Sequence, residues 1–141
     1  MANNKKAAGF SASIISCVLT VVALVLYYLN ATGQYYNDLN NLVLILSAAG
    51  IVALLLGIAT AKAPTLSGIF RIAAPVLIMA AALLFLNGRV YSYAIIFASD
   101  LESGNAAASS AAVQSIVAAA IYALAALIAA IGAFMNVRKA A

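Results

Sequence analysis

Four stretches of the chain are apolar for long enough to cross a bilayer, at about residues 10–29, 42–61, 68–88 and 113–135. A spanning helix needs about 20 such residues, so four of them take up most of a 141-residue chain. The pattern predicts an all-α integral membrane protein. Its expected form is one domain over residues 1–141, a four-helix transmembrane bundle of antiparallel up-down type, because the intervening loops are short. A further apolar run starts at Val90 and gives way to Asp100, Glu102 and the turn pair Gly104-Asn105. Gly104 suits the position just past a helix and Asn105 the cap of the next. Residues 90–103 are therefore expected to form a short helix at or above the outer surface, with the fourth long helix starting near Ala106. Pro64 suits the first turn of the third helix, whereas Pro75 inside it removes a hydrogen bond from the Arg71 carbonyl and predicts a local kink.

Projected at 100° per residue, the last segment divides by size. Ala111, Ser115, Ala118, Ala119, Ala123, Ala125, Ala126, Ala129, Ala130, Gly132 and Ala133 fall on one half, and Ile116, Val117, Leu124, Leu127, Ile128, Ile131 and Phe134 on the other. Lipid supplies no hydrophobic drive between helices, so small residues matter by letting backbones approach. The small half is expected to face protein. Narrower stripes of the same kind are Gly50, Ala53, Gly57 and Ala61 in the second segment, and Gly9, Ser13, Ser16, Cys17 and Thr20 in the first.

Charge adds an orientation. The chain has seven basic and three acidic residues. Lys5, Lys6, Lys62, Arg71, Arg138 and Lys139 fall on one side of the predicted spans, and only Arg89 falls on the other with Asp38, Asp100 and Glu102. By the positive-inside rule the first side is cytoplasmic, which puts both termini there. The net charge of +4 reads as this topology signal and not as a nucleic-acid surface. Tyr27, Tyr28, Tyr35, Tyr36, Tyr91 and Tyr93 cluster at the outer boundary, as expected of an aromatic belt. With no organelle address, a bacterial cytoplasmic membrane is the expected location.

The first segment is too long for a signal peptide and lacks a small-x-small cleavage site after it. Ile14-Ile15-Ser16-Cys17 loosely resembles a lipobox, but apolar sequence continues past Cys17 where a polar tether would be needed. Asn30-Ala31-Thr32 has the N-glycosylation pattern, yet it abuts the membrane.

Candidate chemistry is narrowed mainly by exclusion. One cysteine and no histidine leave no intrachain disulfide, His-based metal site or histidine triad. No catalytic, cofactor-binding or metal-binding residues are assigned, and no cofactor is expected. Acids are absent from the spans, which argues against a proton-coupled exporter, and Arg71 is close enough to a helix start to snorkel to headgroups. Ser92, Ser99 and Ser103 have no base beside them. Inside the membrane, Tyr122 requires a partner for its hydroxyl, and Thr20 at similar depth, or a nearby carbonyl, is the candidate. Outside, Asp38, Asn87, Arg89, Tyr91, Tyr93, Asp100 and Glu102 form a candidate binding site or cap, with Arg89 expected to neutralise at least one acid among Asp38, Asp100 and Glu102, Asp38 first, as an exposed ion pair. The functional expectation is a non-catalytic protein acting by association, with copies of itself or as an accessory subunit beside another membrane protein. Its expected partners are that protein and the lipid bilayer, with no nucleic acid. The alternatives are a small-solute channel or transporter, formed by several copies or by a hydrated cleft along the Ser13, Ser16 and Thr20 stripe, and a membrane enzyme using Asp100 or Glu102 at the outer face.

Overall fold

The computed structural model describes residues 8–33, 35–101 and 104–137. Its elements are α1 (Ala8–Ala31), α2 (Asn41–Ala59), α3 (Pro64–Asn87), α4 (Val90–Ala98) and α5 (Ala106–Ala133). All but α4 are long and apolar enough to cross a membrane. With a rise of about 1.5 Å per residue, α2 is about 28 Å long and α5 about 42 Å, so α2 just fills a hydrocarbon core of about 30 Å while α5 projects beyond it.

Local chemistry sets the element boundaries. Asn105 accepts a hydrogen bond from the Ala108 N–H at 3.2 Å and starts α5, immediately after Gly104 at φ +81°. Pro64 occupies the first turn of α3. Asn40 caps α2 by accepting from the Leu42 N–H at 2.9 Å, which starts that helix one residue before the predicted span. The short helix is shorter than expected and stops at Ala98. Ser99 ends it: its hydroxyl donates to the Ile95 carbonyl at 2.8 Å and accepts from the Leu101 N–H at 3.3 Å, while its own backbone is extended. A serine that satisfies neighbouring backbone groups in this way competes with the helix. Likewise the Thr60 hydroxyl donates to the Leu56 carbonyl at the end of α2, and Ala61 lies beyond the helix.

The long helices close a ring in which α1 packs on α5, α5 on α3, α3 on α2 and α2 on α1. At one end, the Gly9 N–H of α1 donates to the Asn136 carbonyl just past α5 at 2.9 Å. At the other, the Asn30 side chain of α1 donates to the Ala111 carbonyl near the start of α5 at 2.8 Å. Small residues make these approaches possible. A Cβ on Gly132 would lie 2.8 Å from Ala12 Cβ, and one on Gly50 would lie 2.7 Å from Ile78 Cγ1. The buried face of α5 is Ala108, Ala112, Ser115, Ala118, Ala119, Tyr122, Ala125, Ala126, Ala129 and Gly132, while Ile116, Val117, Leu124, Leu127 and Ile131 point away. Ala123 departs from the expected division and is exposed. It sits at the edge of the small half, where residue size alone does not mark the boundary. The stripes in α1 and α2 are buried at Gly9, Ser13, Ser16, Thr20, Gly50, Ala53 and Gly57.

Candidate functional site

Most of the polar side chains gather at the end of the bundle where α1 finishes and α5 begins. Arg89 follows the α3 terminus, and its side chain turns inward until only 2% is exposed. Its Nη1 donates to Asp38 Oδ2 at 2.5 Å, and its Nε and Nη2 both donate to Asn30 Oδ1, at 3.1 and 3.0 Å. The guanidinium also lies 3.8 Å from the Tyr36 ring centroid and 5.3 Å from that of Phe85. Arg suits this position because a planar fork can meet a carboxylate and an amide while stacking on a ring. Asn30 is the second hub: its Nδ2 donates to the Ala111 carbonyl and, at 3.1 Å, to Gln114 Oε1. One charge thus ties α1, the connection to α2, the end of α3 and, through Asn30, the start of α5.

Tyrosines extend the network. The Tyr27 hydroxyl accepts from the Asn40 N–H at 2.7 Å and donates to the Asn40 carbonyl at 3.3 Å, and its ring meets Phe85 edge-on. The Tyr36 and Ser92 hydroxyls pair, joining the first connection to α4. Tyr93 donates to Ser115 Oγ at 2.7 Å, since the Ser115 hydroxyl proton is given to the Ala112 carbonyl. Burial pushes the Tyr93 hydroxyl above its ordinary value, partly offset by that hydrogen bond. Tyr27 and Tyr36 are buried, so they do not belong to the aromatic belt expected of them; Tyr28 and Tyr91 remain exposed.

The expected outer group is therefore only partly assembled. Arg89 and Asp38 meet as anticipated, but the pair is not a solvated one: Arg89 is buried while the Asp38 side chain is 48% exposed. Asn87, Tyr91 and Asp100 are exposed, and Asp100 forms no ion pair among the described residues. Glu102 lies outside the described residues, as do Lys5, Lys6, Arg138 and Lys139. Asn30, Tyr36, Gln114 and Phe85 were not expected at this site. The available signal was an amide at the last turn of an apolar span, where a side chain either reaches water or needs buried partners. Because the Asn30 amide is buried and fully engaged, the Asn30-Ala31-Thr32 pattern is closed to glycosylation in this fold. Beside the clamp, a cavity of about 270 Å³ is lined by Asn30, Tyr35, Tyr36, Ser110 and Gln114.

Two further polar centres lie in the bundle. Tyr122 is paired with Ser47 Oγ of α2 at 2.7 Å, and not with Thr20. Thr20 donates to the Ser16 carbonyl of its own helix, a local bond always within reach of a helical threonine. Tyr122 instead reaches across the ring to α2, with Phe85 edge-on at 6.4 Å. Arg71 does not snorkel outward. Only 9% of it is exposed, and its Nη2 donates to the Gly132 and Met135 carbonyls at the end of α5. No family model matches the chain, and no curated protein or solved structure matches it significantly.

Proposed function

We propose that this protein acts by association, as a homo-oligomer or as an accessory subunit of a membrane complex, and performs no catalysis itself. The observation that carries the reading is α4. Eight of its nine residues, VYSYAIIFA, are apolar or aromatic, it is too short to span, and none of its residues is buried. Tyr91 is 79% exposed, and Val90 and Phe97 are also largely exposed. An exposed apolar patch beside a fixed polar cap is the kind of surface that a partner covers. The clamp supports the same reading from below. Arg89, just before α4, is anchored to Asp38, and Tyr36 pairs with Ser92 inside α4, so the first half of that helix stands on a fixed base.

The channel alternative, in its single-chain form, depends on water along Ser13, Ser16 and Thr20. All three are buried, and the Ser16 hydroxyl is spent on the Ala125 carbonyl at 2.7 Å. That stripe serves packing better than conduction. The uneven placement of basic residues supports both termini in the cytoplasm, and the bacterial cytoplasmic membrane proposed as the setting rests on the sequence having no organelle address.

Site-specific photo-crosslinking in native membranes tests the reading. A photoreactive residue at Tyr91 or Phe97 is expected to capture protein, while one at Ile45 on the exposed side of α2 captures lipid alone. Lipid adducts only at Tyr91 and Phe97 would refute the role of α4.

A further inference from the structure

We propose that the end of the bundle containing Arg71 binds one anionic phospholipid, with its phosphate at the Arg71 guanidinium and an acyl chain in the groove between α3 and α5.

The guanidinium is held inward. A Cβ at Gly57 would come within 2.5 Å of Arg71 Cγ, so the glycine makes room for the stem. Nη2 meets two carbonyls of the α5 terminus, but Nε is a buried side-chain polar atom with no hydrogen-bond partner, the only one among the described residues. Among the described residues no carboxylate pairs with the charge. Asp38 and Asp100 belong to connections at the Arg89 end, and no Asp or Glu occurs between positions 39 and 99 or after 102. A helix C-terminus offers only about half an elementary charge, so a full guanidinium placed there remains under-compensated. Burying a charge in that condition is costly, and an anion arriving from outside removes the imbalance. Lys62, exposed in the turn before α3, puts a second cation at the same end of the bundle.

The groove identifies what carries that anion. It has a volume of about 660 Å³ and a wholly apolar lining that includes Ile72, Pro75, Met79 and Leu83 of α3, with Ala130 of α5 and Phe134 just beyond it. The small side chain of Ala130 leaves the space, and Phe134, 90% exposed, stands at one edge. From Ile72, next in sequence to Arg71, to Leu83 the groove follows α3 for about 16 Å, the depth of one leaflet of a hydrocarbon core about 30 Å thick. Free phosphate would leave the groove unused. A choline lipid would bring its own cation to a site that already has an excess of positive charge.

The test uses the full-length protein purified in mild detergent and stripped of lipid. Native mass spectrometry and thermal unfolding are followed with dimyristoyl phosphatidylglycerol, dimyristoyl phosphatidylcholine or inorganic phosphate. One phosphatidylglycerol per chain is expected, bound at least about ten-fold more tightly than phosphatidylcholine, as one added hydrogen bond to a charged group allows. It should raise the unfolding temperature, and phosphate alone should not. Arg71→Gln should abolish the preference. Ala130→Phe, which fills the groove without touching the guanidinium, should expel the lipid from a protein that still folds. Equal binding of the two lipids, undiminished binding by Ala130→Phe, or equal stabilisation by phosphate alone would each overturn the proposal.

Discussion

Removal of the Arg89 guanidinium strands several groups at once. Asn30 Oδ1 loses both of its donors while remaining buried, Asp38 loses its counter-charge, and the Tyr36 ring loses the plane stacked over it. A buried acceptor left unpaired costs about 1–3 kcal/mol, and breaking a buried ion pair about 3–5 kcal/mol. Asp38 is half exposed and can turn to water, so the cost of Arg89→Ala is expected where these ranges meet, at about 3 kcal/mol. Asn30→Ala should come next, because it removes an amide engaged at both ends. Asp38→Asn should cost least. Thermal unfolding in one detergent gives the order, and an Asp38→Asn protein as unstable as Arg89→Ala would show that the carboxylate, not the amide, anchors the clamp. Sequence alone marked Arg89 as the one base on the outer side and left three acids, Asp38 first among them, as its partners. It did not suggest the burial, since that depends on Asn30 being held against α5 and on Tyr36 folding back over the charge.

Helix α5 shows at the scale of an element what small residues do. Ala126 and Ala129 are buried against neighbouring helices, whereas Leu127 is 57% exposed on the opposite side. Ala126→Leu or Ala129→Leu should therefore overfill a tight contact, at about 1–3 kcal/mol, and Leu127→Ala should do much less. Equal losses of thermal stability on the two faces would contradict the assignment. This face was legible from the sequence because residue size follows the helical period for seven turns. Other features were not. The end of α4 is set by what the Ser99 hydroxyl bonds to, and the partner of Tyr122 by which helix stands across the ring. Depth counted along the predicted spans favours Thr20 over Ser47, and the lateral order of the helices brings Ser47 to the tyrosine instead. The inward turn of Arg71 depends on space left by Gly57, a contact between two helices that no single-helix pattern contains.

Over the whole molecule, four membrane-spanning candidates are fastened by polar contacts at both ends and by small-residue packing between them. The Arg89 clamp gathers one end, and Arg71 with the Gly9 and Asn136 backbone contact gathers the other. Helix α4 is held on one side by the Ser92 and Tyr93 hydroxyls and leaves Val90, Tyr91 and Phe97 exposed. Unlike the long helices, whose exposed apolar side chains suit lipid along a span, α4 is too short to cross and none of its residues is buried. The most direct measurement is the mass of the particle released from native membranes into polymer-bounded nanodiscs without detergent. The association reading predicts a protein mass above that of one 14.3 kDa chain, made up of further copies or of another protein, and reduced to a single chain when Tyr91 and Phe97 are replaced by lysine. A wild-type particle containing one 14.3 kDa chain and lipid alone would contradict it.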